Sequence, residues 1–379
     1  MVRVVYVIDS VSRVGGAEQG LVAMAPLLVR AGVELHVAFL KESPGGFQKE
    51  LAAAGAGVHP VPGGSRGARV AGLRGLFRGL RPDLVHTTLY ESDVLGRSAA
   101  FAARVPVVSS LVNSAYGPEH VHARGLSPWK VRAAQAVDAV TARGVRRFHA
   151  LTEHVAEVMA ARLRVARRRI DVVPRGRDPL LLGRVTAERR AAVRGALGLA
   201  EEVPVVLAAA RQQYQKGLDV LVSAWPRVRA ARPDAVLLLA GSRGAETARL
   251  EGLAERTGGV RFLGPRDDVF DLMAAVEVCA VPSRWEGLGS AALEAMGVGV
   301  PLVCADVPAL RETVGGGEEC ALLVPPQRPE ALAGALVRVL EGRGEALVRA
   351  EAARARFLAG YTLERVSARM VEFYGRALS

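Results

Sequence analysis

The stretch VEVCAVPSRWEGLGSAALEAMGVGVPLVCADV, residues 276–307, changes its hydrophobic period twice. It opens on an almost continuous apolar run (276–283), turns through a segment punctuated by glycines, reads as a helix from about Gly289 through SAALEAM, and returns to an apolar run at 301–307. Strand, helix, strand is the unit of a parallel sheet, and strands apolar along their whole length are buried on both faces. Working outward, similar runs recur at 203–210, 235–241, 260–264 and 321–326. An earlier series lies at 2–9, 34–40, 83–88, 106–112, 147–152 and 170–176, with helical patterns between its members. The expected fold class is therefore α/β, with two Rossmann-like doubly wound parallel-sheet domains facing across a cleft. The expected domains are 1–178 and 179–358, followed by an amphipathic final helix over 359–379. Residues 177 to about 202, with a Pro, several Gly and an Arg/Glu-rich stretch, read as the linker.

Composition agrees with that frame. The 379 residues are enough for two cores, and 50% apolar with 23% charged residues is a globular balance. No apolar run is long enough to cross a bilayer. The first run meets Asp9 without a basic leader or a cleavage site, so it reads as a strand in a soluble, cytoplasmic protein. Cys279, Cys304 and Cys320 show no metal-ligand spacing. The net charge of +12 comes from 50 basic residues of which only four are lysines. With no zinc-finger spacing, aromatic RNA-binding string or basic heptad, nucleic acid is not an expected partner. Leu73, Leu76, Phe77 and Leu80 share one helical face ringed by arginines, a pattern compatible with peripheral contact to an anionic membrane. The favoured reading is an ordinary helix burying that face against its sheet.

Ligands in doubly wound sheets sit beyond the carboxyl ends of the strands. In the opening stretch Glu286 lies in the turn after a strand and Glu294 inside the following helix, leaning back toward the helix start. Gly287 and Gly289, around Leu288 and before Ser290, remove side chains where exposed amides favour an anion. Two carboxylates flanking an anion site suit two diols on either side of a diphosphate, the shape of a sugar nucleotide. In AAARQQYQKGLDV, Arg211 and Lys216 flank another strand end, where two cations neutralise a diphosphate leaving group. Lysine is rare in this chain, so Lys216 marks a place where a compact point charge is wanted. Gly15 and Gly16 open a helix after the first strand and permit close backbone approach. Asp267 or Asp268, beside Arg266, is read as a helix cap and the pair not as a metal site.

The Glu-x7-Glu spacing from Glu286 to Glu294, set within PSRWEGLGSAALEAMGVGVPLV, resembles the signature of the GT-B fold retaining glycosyltransferases of family 4, the group 1 type. The resemblance implies that Glu286 contacts the donor sugar hydroxyls, Glu294 the ribose diol, and Arg211 and Lys216 the diphosphate. It implies further that the GGAE stretch at Gly15 and Gly16 faces the donor, and that backbone around Arg266 reads the base. No cofactor and no metal are implied, and the final helix is expected to cross back to the first domain. The reaction implied is transfer from a nucleotide sugar, UDP-sugar first and GDP-sugar second, to a hydroxyl of a natural-product aglycone, glycolipid or polysaccharide precursor. Rival readings are a sugar-nucleotide epimerase and a non-catalytic sugar-nucleotide-binding protein.

One departure stands out. Many members place a histidine where this chain has Asn113, so that contact falls to His86, His120 or His122; His86, at the end of its strand, is read either as a catalytic group with Glu286, Arg211 and Lys216 or as a satisfied buried histidine. The long segment from Asn113 to Trp129, with Tyr116, His120 and His122, is expected to shape the acceptor pocket. VVPRGRDP (172–179) resembles the family's hinge-adjacent stretch, with Arg175 where asparagine is common.

Overall fold

In the computed structural model, which describes residues 2–379 apart from 14, 62, 120, 122–124 and 126, the chain divides into two compact units. The first is Met1–Gly176 with Leu363–Ser379, and the second is Arg177–Thr362.

The first unit holds seven strands: β1 (Val2–Ser10), β2 (Val33–Lys41), β3 (Gly57–Pro60), β4 (Leu84–Thr88), β5 (Val107–Leu111), β6 (Arg147–Ala150) and β7 (Ile170–Val172). They form one parallel sheet in the order β3-β2-β1-β4-β5-β6-β7. The apolar runs become strands because both sheet faces are covered, and Val4, Val5, Val7 and Ile8 of β1 are fully buried. Edge strand β3 was not among the expected runs. It is four residues long and half-exposed, so it carries no continuous apolar signal, and it places His59 Nε2 3.0 Å from His36 Nδ1 of β2.

Helix Gly16–Arg30 packs Leu21, Ala25 and Leu28 on one face of this sheet, beside the final helix Leu363–Leu378 with Val366, Met370 and Phe373. On the other face, helix Arg66–Leu80 buries Leu73 and Phe77 and is capped by Ser65, whose Oγ accepts from the Ala68 amide at 3.2 Å. The apolar face singled out in that helix is thus part of the core. Beneath helix Tyr90–Ala103, the fully buried Arg97 lies between Asp138 (2.5 Å) and Asp93 (3.4 Å). Burial, with the charge of Asp138 adding to it, lifts the Asp93 carboxyl to about 7 despite the neighbouring guanidinium.

The second unit holds β8 (Val205–Ala209), β9 (Val236–Ala240), β10 (Val260–Gly264), β11 (Val278–Val281), β12 (Leu302–Ala305) and β13 (Leu322–Val324), parallel in the order β10-β9-β8-β11-β12-β13. Its core gathers Val206, Leu221, Trp225, Leu237, Leu250 and Leu336, all fully buried.

Residues 177–202 are not a free linker. Helix Ala187–Ala196 is pinned to this unit by Arg190, which pairs with Glu277 (2.5 Å) and Glu201 (2.6 Å), and by the buried Arg194, which donates to the carbonyls of Ala275 (2.9 Å) and Ala200 (2.6 Å). An Arg/Glu-rich pattern without an apolar stripe reads as solvated, yet here both guanidinium groups are turned into the unit and bonded to its carboxylates and carbonyls. The two chain crossings also differ from expectation by a few residues. The Arg177 amide donates to the Tyr361 carbonyl at 3.0 Å and Arg177 bridges Thr362, which ties both positions to the second unit.

Candidate functional site

In each sheet the strand order reverses beside the first strand of the unit, at β1/β4 and at β8/β11. The loops leaving such a pair diverge and open a crevice. In the second unit these are the loops that carry Arg211, Lys216 and Glu286, with Glu294 in the helix that follows.

They are braced to each other. Gly217 ends a single 3-10 turn, Tyr214–Lys216, at φ +63°, and a Cβ there would stand 2.1 Å from the Pro282 carbonyl oxygen. Only glycine satisfies both the left-handed backbone and that approach. The Arg284 amide donates to the Gln215 carbonyl (2.8 Å), and the Gln215 side chain donates to the Trp285 carbonyl (3.0 Å). Arg284 itself lies 3.9 Å over the Tyr214 ring, donates to the Tyr214 carbonyl (2.7 Å) and grips Asp219 with two bonds of 2.8 and 2.7 Å. That bidentate pair holds the Asp219 carboxyl below its usual range even though burial works against it. Arg284 and Asp219 were not foreseen, and an arginine beside the glutamate motif gives no local sign of a partner 65 residues away.

The bracing sets Lys216 Nζ 2.5 Å from Glu286 Oε1, which also accepts from Ser283 Oγ at 2.8 Å. Glu286 is buried, whereas the Lys216 side chain is about one-fifth exposed. Arg211, just past β8, is exposed and makes no ion pair among the described residues. Gly289 is the N-terminal cap of helix Ser290–Val298 at φ +88°, where a Cβ would meet Leu310 at 2.3 Å. As a glycine it brings no side chain to cap the first amides of this helix. Leu288 is buried and its carbonyl accepts from Thr313 Oγ1 at 2.6 Å, so its part in any site is a backbone one. Glu294, in the second turn, receives two bonds of 2.8 Å on one oxygen from Arg177. Arg177 was passed over in the sequence, since its partner is 117 positions distant.

The exposed Arg266 and the half-buried Asp268 bond each other at 2.7 and 2.5 Å. Asp268 occupies the cap position of helix Val269–Ala274, but its carboxylate turns to Arg266 and caps no amide, a correction to the expected helix cap. Among the described residues no group of three His, Cys, Asp or Glu side chains is placed to hold a metal ion.

In the first unit, Gly15 caps helix Gly16–Arg30 without any side-chain bond. The space left by the two glycines is occupied by the molecule's own charges. A Cβ on Gly15 would strike the Glu18 carboxylate, and one on Gly16 would come within 2.8 Å of the Arg175 guanidinium. A cavity beside this turn is lined by Tyr6, Gly20, Met24, Thr88, Arg175 and Met370.

His86 is corrected. It sits in the middle of β4, fully buried, with Nδ1 2.8 Å from Tyr374 Oη and Nε2 2.7 Å from Ser110 Oγ. Ser110 continues to His149 Nδ1 (2.8 Å), and His149 Nε2 to the Val173 carbonyl (2.7 Å). Burial lowers His149 to about 4 and His86 well below its ordinary value, so both imidazoles are neutral. A carbonyl only accepts, and with neutral rings the direction of the whole chain follows: His149 donates to Val173, Ser110 to His149, His86 to Ser110, and Tyr374 to His86. This is a core network fastening the final helix to the sheet, with no proton to offer a substrate.

The segment after β5 is clamped at its start. Asn113 Oδ1 accepts from the Ser114 amide (2.9 Å), and Arg162 donates to the carbonyls of Ser114 (2.7 Å) and Ala115 (2.5 Å). Tyr116, at φ +72°, donates its hydroxyl to Asp138 at 2.5 Å, so that hydroxyl is already engaged within the fold. His120 and His122 lie outside the described residues.

Comparison with known proteins follows this division. The family model for glycosyl transferases group 1 matches residues 203–342, and that for the glycosyl transferase 4-like domain matches residues 15–176. A D-inositol 3-phosphate glycosyltransferase of Nocardia farcinica is 32% identical over 314 residues, 77% of this chain and 68% of that protein. The GDP-mannose-dependent monoacylated alpha-(1-6)-phosphatidylinositol monomannoside mannosyltransferase of Corynebacterium glutamicum is 35% identical over 151 residues, 38% of this chain and 40% of that protein. The match spans about two-fifths of the length of the latter and of similar curated relatives. The crystal structure of Anabaena HepE with UDP and glucose superposes with a TM-score of 0.85 at 23% identity, over 99% of this chain and 100% of that one. Two parallel-sheet units with these neighbours are the GT-B fold, and the chain belongs to the group 1 glycosyltransferases.

Proposed function

We propose that this protein transfers a sugar from a nucleoside diphosphate sugar to a hydroxyl acceptor with retention of anomeric configuration and without a catalytic metal. The observation that carries the reading is the Lys216–Glu286 pair, set by two mutually braced loops at a strand-order reversal. Lys216 and Arg211 bind the diphosphate, joined by backbone from Gly287 to Ser290 at the helix start. Glu286 orients the sugar hydroxyls and Glu294 accepts from the ribose diol. The departing diphosphate takes the acceptor proton on the same face of the sugar, since no side chain is cast as a general base. Backbone near Arg266 reads the base, and the first unit presents the acceptor through the clamped segment that begins at Asn113.

UDP is the first choice of donor nucleotide and GDP the second. One neighbour's structure holds UDP, and one relative is named as GDP-mannose-dependent. Acceptors of the expected class are an aglycone, a glycolipid or a polysaccharide precursor.

The test is thermal shift with UDP, GDP, ADP and TDP in metal-free buffer, beside Glu294→Ala. Ligand at one hundred times its dissociation constant adds about 2.7 kcal/mol. One diphosphate should stabilise the wild type and leave the variant unmoved. If none stabilises the wild type, the donor assignment is wrong.

A further inference from the structure

Helix Pro128–Ala142 of the first unit buries one face only. Val131, Asp138 and Ala142 point into the unit, whereas Trp129, Val137 and Val140 on the opposite side are 66%, 44% and 59% exposed. At 3.6 residues per turn these three, with the exposed Ala133 and Ala136, fall in one sector about 100° wide. Phe101, itself exposed, extends the patch past the helix end, its ring lying against Gly144, where an added Cβ would come within 2.6 Å. A contiguous apolar stripe of this kind on a folded surface marks an interaction site.

The charge around the stripe is of one sign. Lys130, Arg132 and Arg143 are exposed at its margins, and the Lys130 amine lies 5.7 Å from the centre of the Trp129 ring. The only acid of the helix, Asp138, is turned inward to Arg97 and is unavailable to balance them. A second copy of the same face would set these cations against their like. An anionic lipid surface satisfies both halves, with apolar side chains and a tryptophan for the boundary layer and cations for the phosphates.

We propose that this face of helix Pro128–Ala142, with Phe101, docks the protein on anionic membranes. Trp129, Val137 and Val140 enter the headgroup layer while Lys130, Arg132 and Arg143 rest on lipid phosphates. The site is separate from helix Arg66–Leu80, whose apolar face is buried. It also stands independently of the donor chemistry proposed above.

The experiment is flotation of the full chain with vesicles of phosphatidylcholine alone or mixed with phosphatidylglycerol, at low and high salt. The wild type should float with the anionic vesicles at low salt, less at high salt, and remain below with the neutral ones. Val137→Glu/Val140→Glu, at exposed positions that leave the thermal midpoint unchanged, should lower the bound fraction at least about tenfold. Brominated lipid should quench part of the tryptophan emission in the wild type, and Trp129→Phe should remove that part. The proposal is overturned if the wild type stays below with anionic vesicles. It is equally overturned if the double variant floats as well as the wild type, because net charge alone would then explain binding. Self-association in sedimentation that the double variant abolishes, with no lipid binding, would assign the face to a second copy instead.

Discussion

The two units share a sheet plan and use their polar residues in opposite ways. In the first, His86, His149 and Ser110 form a neutral, one-directional chain inside the core, ending on a carbonyl. In the second, Lys216, Glu286, Arg177 and Glu294 form ion pairs at the strand ends, with side chains that remain partly reachable. A fully satisfied neutral network rigidifies a fold and has nothing left to exchange. A cation and a carboxylate held at a crevice can each trade a partner for a ligand. That difference, more than residue type, separates structure from site here.

The largest effect should come from the second unit. Lys216→Ala is expected to lower kcat about 100- to 1,000-fold while leaving the thermal midpoint close to the wild type's. A variant that fails to fold would erase the contrast, because the pair would then be structural like the histidine chain.

Acidification probes the first unit. Burial holds His86 and His149 below their unfolded value of about 6.5, His149 at about 4, so the unfolded chain binds more protons between those values. The histidine contribution to stability should be complete above about pH 6.5 and fall by about 3 kcal/mol for His149 alone as the pH drops toward 4. Asp93, at about 7, has the opposite sign and at least the same size as His149, since the folded state binds its proton more readily, and it masks the histidine contribution in the wild type. Denaturant melts of Asp93→Asn across this pH range would check the sign, and stability of that variant that rose on acidification would mean the histidines are charged in the fold.

Ser110→Ala removes the middle of the chain and orphans a donor on His86 and an acceptor on His149. About 1–3 kcal/mol of stability should be lost with kcat unchanged, measured by urea melts and initial rates. A drop in kcat larger than the loss of folded protein would return His86 to the list of catalytic groups. The smallest effect is expected at Arg266→Ala. Its exposed pair with Asp268 is worth about 0–1 kcal/mol, and if backbone reads the base, nucleotide affinity by calorimetry should not change.

Much of the fold was legible in the sequence because its signals are local. Twelve of the strands follow from apolar runs, and the helices that begin at Gly16, Leu218 and Ser290 follow from glycines within a residue or two of the observed starts. Edge strand β3 escaped, being short and half-exposed, and helix Ala187–Ala196 was taken for linker because its anchors are arginines. The glutamate pair, Lys216 and the turn glycines were legible as candidates. His86 was misplaced for a simple reason: a period of two says which face a strand residue occupies, not whether a helix from the far end of the chain covers it.

The sequence by itself determined the alternation of strands and helices, the glycines at the turns and the residue types available at the strand ends. Those properties depend on neighbours within a few positions, through period, backbone freedom and capping. Only the tertiary structure decided that Lys216 meets Glu286, that Arg177 takes Glu294 across 117 residues, that Arg284 locks Asp219, and that Tyr374 closes over His86. Partner choice among charges is a long-range question, settled by which strand ends the sheet order brings together and by the cost of leaving a buried polar group unpaired.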